Sequence, residues 1–157
     1  MGDLTPRAQQ ALALSKRIAV ELESTSVGTE HLLLGIVTLG QGVAVNALLR
    51  MGVDFVSLRT FIQDEAAKSK KKNKTGKGNS DITHTPRLKK VIALAGKEAK
   101  ELSHSYIGTE HLLLGILRDT ESLAASVLSK LDIELDVCRR EGLSEIDPNF
   151  ESDNLET

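Results

Sequence analysis

The residues best suited to chemistry form one short motif that occurs twice. Gly-Thr-Glu-His occupies positions 28–31 and again positions 108–111, each time directly before the run Leu-Leu-Leu-Gly-Ile. Free backbone N–H groups at a helix N-terminus attract anions, and a neighbouring carboxylate attracts cations. The motif therefore predicts two ligand sites, one at Thr29 and Glu30 and one at Thr109 and Glu110, each suited to a ligand that carries both charges close together.

The same residues also have a purely structural interpretation. Glycine would permit a tight turn, Thr29 and Thr109 would cap the helices, and Glu30 and Glu110 would favour the positive end of the helix dipole. The leucine run would then be core. The residue types alone leave both interpretations open.

The two motif histidines favour a structural role over a metal site. His31 and His111 follow the glutamate, which reverses the order of a zinc-binding HExxH helix, and no second histidine lies within a turn of either one. We expect each to make a hydrogen bond at its helix start, and we expect no metal ligands in the chain.

The motif belongs to a longer internal repeat. Thr5-Pro6-Arg7 returns as Thr85-Pro86-Arg87 at the offset of 80 residues that also relates the two Gly-Thr-Glu-His motifs. The alignment holds without a gap from residues 5–59 to residues 85–139. Repetition in register indicates two copies of one structural unit.

The sequence pattern of each copy predicts four helices. Thr5 is a good N-cap and Pro6 a good first helical residue, and apolar residues recur every three or four positions after them. The leucine run is apolar all round, which predicts a buried central helix. Gly52 is suited to end the third helix, and Asp54 to cap the fourth. The pattern predicts an all-α fold, a pseudo-two-fold bundle of eight helices from two four-helix repeats.

The chain divides at two polar stretches. We expect one double domain at residues 1–143, with repeat one at about 4–66, a lysine-rich linker at 67–83 and repeat two at about 84–142. Residues 144–157 are acidic and predict a flexible tail or an outgoing linker.

Composition limits the possible partners. Apolar residues make up 40% of the chain, aromatic residues 3%, and the net charge is −2, so the whole molecule gives no reason to expect a nucleic acid. The lysine run at residues 68–77 could form a nucleic-acid patch, but no aromatic side chain interleaves it to stack a base, and a solvated loop is the favoured interpretation. No apolar run is long enough to span a membrane, and no secretion signal precedes the repeats. Together with the lone Cys138, this predicts a reducing cytoplasm.

Catalytic motifs are missing. Residues 75–78 look faintly like a phosphate loop but lack the upstream glycine and the hydroxyl residue after lysine. Cys138 occupies the position of Leu58 in the first copy, which indicates a small core residue. We expect a non-catalytic chain without a cofactor of its own.

The doubled motif, preceded each time by Thr-Pro-Arg, resembles the amino-terminal domain of the Clp unfoldase ATPases, most closely the ClpC type, over about residues 4–142. The resemblance implies a domain that binds substrate proteins and adaptor proteins and passes them to the neighbouring ATPase ring and its protease. In ClpC-type members each lobe binds phosphorylated arginine. Carried over, this implies that Glu30 and Glu110 face the guanidinium and that Thr5 and Thr85 lie near the phosphate. It also implies a cytoplasmic location, or the stroma for a plastid member.

The second copy departs from the first at two places. Residues 119–122 read Asp-Thr-Glu-Ser where residues 39–42 read Leu-Gly-Gln-Gly, so the second groove should differ in shape. Leu88 replaces Ala8, and we expect it to narrow the second pocket so that the first lobe binds better. Two alternatives to the docking module remain: a free-standing regulator with the same fold, and a helical nucleic-acid binder.

Overall fold

The computed structural model describes residues 3–72 and 82–138, and these residues are mostly helical. Eight helices occur in two sets of four, which confirms the predicted repeat architecture. Repeat one contains α1 (Pro6–Glu21), α2 (Thr29–Leu39), α3 (Val43–Arg50) and α4 (Phe55–Lys72). Repeat two contains α5 (Pro86–Glu101), α6 (Thr109–Arg118), α7 (Leu123–Lys130) and α8 (Leu135–Val137).

Four strands of two residues each are added to the expected helices. They are β1 (Asp3–Leu4), β2 (Ser26–Val27), β3 (Thr83–His84) and β4 (Tyr106–Ile107). β1 pairs in parallel with β4, and β2 pairs in parallel with β3. Each pair joins one repeat to the other, so the segment before α1 lies beside the start of α6, and the segment before α5 lies beside the start of α2.

The first helix of each repeat begins as its sequence predicts. The Thr5 hydroxyl accepts a hydrogen bond from the Ala8 N–H at 3.1 Å, and the Thr85 hydroxyl accepts one from the Leu88 N–H at 3.0 Å. Proline occupies the first turn of both helices, where its missing N–H costs nothing. These caps fix where α1 and α5 start.

The central helices α2 and α6 are buried along most of their length. Residues 31–37 and 109–117 are all buried, in a core of Leu, Ile, Val and Ala. A Cβ on Gly35 would lie 2.5 Å from the Ala11 carbonyl oxygen, and one on Gly115 would lie 2.6 Å from that of Val91. Glycine therefore lets α2 pack closely against α1, and α6 against α5.

The predicted boundary between repeat one and the linker was inexact, because α4 is longer than expected. α4 continues through Lys72, so residues 67–72 are helical although the linker was expected to start at 67. Alanine and lysine have high helix propensity, and no glycine interrupts them before residue 76. The rest of the expected linker up to residue 81 and the acidic tail at 144–157 lie outside the described residues. Within the residues that the structure describes, none of the helices alone is both long and apolar enough to cross a bilayer, and α2 with α3 meets that measure only as a pair bent by 89°.

The two repeats cap each other's helices. The Thr29 hydroxyl accepts a hydrogen bond from the Ala124 N–H of α7 at 3.2 Å, and the Thr109 hydroxyl accepts one from the Ala44 N–H of α3 at 3.3 Å. We expected these threonines to cap their own helices, and that expectation is wrong. The N-caps of α2 and α6 are Gly28 and Gly108, so each threonine already lies inside its helix and its hydroxyl serves the other repeat.

We expect Thr109→Val to destabilise the whole chain by about 1 kcal/mol, because α3 loses the side chain that satisfies one of its free N–H groups. The loss should appear in a single unfolding transition, since the cap lies between the repeats. Urea unfolding followed by circular dichroism measures both.

Thr60→Val is the matched control for this change, because its exposed hydroxyl bonds only the Val56 carbonyl one turn back in α4. It should change stability by less than about 0.5 kcal/mol. An equal loss in the control, or two separate transitions in the unmodified chain, would contradict the cross-repeat cap.

Candidate functional site

The glutamate of each motif folds back over the N-cap of its own helix. A Cβ added to Gly28 would lie 2.6 Å from Glu30 Oε1, and one added to Gly108 would lie 2.5 Å from Glu110 Oε1. The Gly28 and Gly108 backbones are extended, with φ of −106° and −101°, so a tight turn is not the reason for glycine here, contrary to expectation. Glycine instead leaves room for the carboxylate, which occupies the space that a side chain would take.

The histidine of each motif completes the helix start. His31 Nδ1 accepts a hydrogen bond from the Gly28 N–H at 2.8 Å, and His111 Nδ1 accepts one from the Gly108 N–H at 2.9 Å. In a capping box this role usually belongs to Glu or Gln at the third helical position. The structural interpretation of both histidines is therefore confirmed.

Because Nδ1 accepts in both rings, the proton of the neutral ring is assigned to Nε2. In repeat two, His111 Nε2 lies 2.7 Å from His104 Nδ1, and the His104 ring stacks on Tyr106. In repeat one, His31 Nε2 lies 3.9 Å from Glu30 Oε2. The two helix starts thus use the same kind of cap, a histidine Nδ1 that accepts the glycine N–H. They differ in which group lies near the Nε2 atom of that histidine.

Burial keeps both capping histidines neutral. It lowers the pKa of His111 to about 3, with His104 as a second cause. Burial also lowers the pKa of His31, and the nearby Glu30 carboxylate partly opposes this shift. Neutral rings are what the caps require, because a protonated Nδ1 could not accept the glycine N–H.

The other side of each site comes from the opposite repeat. The Thr5 N–H donates to the Ile107 carbonyl at 3.0 Å, which places the start of α1 beside the start of α6. A cavity of about 630 Å³ opens between them. We call it the Glu110 groove, and its lining includes Thr5, Arg7, Gln41, Thr109 and Glu110.

The corresponding place in the other half is where the start of α5 lies beside the start of α2, and we call it the Glu30 groove by analogy. The Thr85 N–H donates to the Val27 carbonyl at 2.9 Å, next to Gly28. We expected the site to appear once per lobe, and the structure brings residues of both repeats together at each helix start. Thr5 shares a groove with Glu110, and Thr85 lies beside the helix start that carries Glu30.

The two departures in repeat two have different outcomes. Leu88 and Ala8 are both fully buried, so narrowing of the second pocket by Leu88 stays a prediction. The turns before α3 and α7 do differ, as expected. Gly40 ends α2 in the left-handed region at φ 73°, whereas Asp119 ends α6 at φ −96° and Ser122 caps α7 through its own hydroxyl.

The remaining candidates from the sequence are Cys138, a metal site and the lysine run. Cys138 is fully buried, as a core residue should be. Across residues 3–72 and 82–138, no three His, Cys, Asp or Glu side chains gather as a metal site would need. Most of the lysine run falls at residues 73–81 or on α4 side chains that the structure does not describe.

Comparison with known proteins supports the resemblance. Residues 3–131 match the family described as the Clp repeat (R) N-terminal domain. The chain is 40% identical over 148 residues to the chaperone protein ClpB of Oceanobacillus iheyensis, and 39% identical over 148 residues to the negative regulator of genetic competence ClpC/MecB of Bacillus subtilis. Each alignment covers 94% of this chain and 18% of the relative, so the chain spans under a fifth of the length of these relatives.

Solved structures share the fold. The N-terminal domain of Hsp104 from Candida albicans superposes with a TM-score of 0.72 at 13% identity, over 92% of each chain. The N-terminal domain of the chaperone ClpD from Arabidopsis thaliana superposes with a TM-score of 0.60 at 22% identity, over 92% of this chain and 97% of that one. At these identities the likeness speaks for the fold alone.

We expect His111→Gln to make the chain less sensitive to acid, because glutamine can keep the cap but does not titrate. An unfolded histidine binds a proton near pH 6.5, whereas His111 in the fold does so only near pH 3. The unfolded state therefore holds more protons between these values, and stability falls as the pH drops through them. Between pH 7.5 and pH 5, the free energy of unfolding should fall by about 2 kcal/mol more in the unmodified chain than in the His111→Gln variant.

Urea unfolding at the two pH values measures this difference. His84→Gln is the control, since burial and the nearby Lys89 and Lys16 lower the pKa of this half-buried histidine but it caps no helix. Its pH dependence should stay closer to that of the unmodified chain. Identical pH dependence in His111→Gln and the unmodified chain would contradict the assigned role.

Proposed function

Since the chain belongs to the Clp repeat N-terminal domain family, we propose that it is a docking domain for substrate proteins and adaptor proteins of a Clp-type unfolding ATPase. We further propose that its two grooves recognise phosphorylated arginine. The observation that carries this proposal is the pairing, in one groove, of a carboxylate with groups that bind anions.

The Glu110 groove offers complementary groups for such a ligand. Glu110 is 6% exposed, and its carboxylate lies against the N-cap at the edge of the cavity. Thr5 and Arg7 line the same cavity from the other repeat. A guanidinium donates well to a carboxylate, and a phosphoryl group accepts from hydroxyls, arginine and helix N-termini.

Phosphoarginine joins these two charges through one nitrogen, so its receptor needs both kinds of group within one small space. Free arginine would lack the anion, and a phosphorylated serine would lack the guanidinium. Each should therefore bind more weakly than phosphoarginine.

The larger context is also a proposal. In the full-length relatives, one of which is named the ATP-binding subunit of an ATP-dependent Clp protease, such a domain is one part of a longer chain. We propose that bound substrates pass from this domain to an ATPase ring and its protease, in the cytoplasm or the plastid stroma. The domain itself acts by binding and not by catalysis. A free-standing regulator with this fold stays the alternative, and the length of the parent reading frame decides between them.

We expect Glu30→Gln and Glu110→Gln each to weaken phosphoarginine binding in one groove, and the double variant to lose specific binding. A charge-assisted hydrogen bond is worth roughly 1.5–3 kcal/mol, so the loss should be on the order of ten- to a hundredfold per groove. Isothermal titration calorimetry with free phosphoarginine measures it. Stability should change by less than about 1 kcal/mol, the usual size of a helix-dipole contribution.

Glu21→Gln supplies the control for this loss, because Glu21 lies at the opposite end of α1 and pairs with Arg17 at 3.6 Å on the surface. It should bind like the unmodified chain. Retention of full affinity in the double variant would show that the two glutamates only support the helix starts.

A further inference from the structure

Corresponding residues of the two repeats carry different charges near the two grooves. The corresponding pairs are Arg7 and Arg87, Leu39 and Asp119, Gln41 and Glu121, and Gln10 and Lys90. The two repeats have the same fold, so each of these differences changes a side chain on a similar backbone. Each pair therefore isolates one chemical change between the grooves.

In the Glu110 groove, the arginine keeps its charge available. Arg7 Nη2 donates to Gln41 Oε1 at 3.0 Å, and both side chains are exposed. An amide oxygen is neutral, so it positions the guanidinium without cancelling its charge. Among the residues that the structure describes, no carboxylate lies within ion-pair distance of Arg7.

In the Glu30 groove, the corresponding arginine is already bound. Arg87 Nη1 donates to Asp119 Oδ1 at 2.9 Å and Oδ2 at 3.1 Å, and its Nη2 lies 3.6 Å from Glu121 Oε1. The Asp119 side chain is only 4% exposed, whereas that of Glu121 is 79% exposed. A buried carboxylate that lost its cation would be left uncompensated, so Arg87 is held by Asp119.

The surrounding charges point the same way. Lys90 adds a cation on the Glu30 side, at the position of Gln10, which lines the Glu110 groove. Even so, two carboxylates, Asp119 and Glu121, lie within ion-pair distance of Arg87. In the Glu110 groove, Glu110 and Arg7 line the same cavity. A ligand that carries a phosphoryl group therefore meets two carboxylates beside Arg87, where it meets the neutral Gln41 amide beside Arg7.

We propose that the two grooves bind unequally and that Asp119 sets the difference by occupying Arg87. The Glu110 groove is the stronger site for an anionic ligand, and the Glu30 groove is the weaker. This inference rests on the proposed function, since it ranks the two grooves for the same ligand. It also replaces the ranking by lobe, because the groove that contains Thr5 carries Glu110 and not Glu30.

Phosphoarginine titration followed by amide resonances in each groove tests the ranking. In the unmodified chain, resonances around Glu110 should saturate at lower ligand concentration than those around Glu30. Asp119→Asn keeps the shape of the side chain and removes its charge, so the Glu30 groove should gain affinity by several-fold to about tenfold while the Glu110 groove stays unchanged. Glu121→Gln, which removes an exposed and screened charge, should raise affinity less.

A second variant covers the case in which Asp119→Asn does not fold. Gln41→Glu places a carboxylate beside Arg7 on the exposed surface, and it should weaken the Glu110 groove by several-fold. Equal saturation of both grooves, or affinities that neither Asp119→Asn nor Gln41→Glu changes, would overturn the ranking and leave the proposed function standing. Absence of ligand-induced shifts in either groove would overturn the proposed function, and the ranking with it.

Discussion

The two repeats are joined by two threonine hydroxyls, each of which caps a helix of the other repeat. Thr29 serves α7, and Thr109 serves α3, across the boundary between the repeats. The parallel strand pairs cross the same boundary. Because unsatisfied N–H groups at a helix start are costly when buried, neither repeat is complete without the other. The grooves lie where this exchange takes place, so the contacts that join the repeats also form the proposed binding sites.

The Gly-Thr-Glu-His motif serves structure and proposed function together. Glycine leaves room for the carboxylate, threonine caps the other repeat, and histidine caps its own helix. The glutamate carboxylate lies against the N-cap of its own helix, and that of Glu110 also lines the groove. The structural and functional interpretations of the motif are therefore not alternatives. Glycine, threonine and histidine form the helix start, and the helix start positions the glutamate.

Much of this fold could be predicted from sequence because local rules govern it. The Thr5 cap, the glycine at the end of α3 and the buried leucine helices follow from residue types and spacing. Which repeat supplies each wall of a groove could not be predicted, because periodicity locates helices but does not say which ends meet. The two-residue strands were too short to leave a pattern. The Arg87–Asp119 pair joins residues 32 positions apart, and nothing in the local sequence indicates it.

The central claim is that each groove is shared between the repeats. The most direct test is a phosphoarginine titration of Glu110→Gln followed by amide resonances on both sides of each groove. The account predicts that this change in repeat two moves the ligand-induced shifts at Thr5 and Arg7 in repeat one to ten- to a hundredfold higher ligand concentration, while those at Thr85 keep their midpoint. Loss of the shifts at Thr85, with those at Thr5 and Arg7 retained, would place each site within a single repeat and contradict the account.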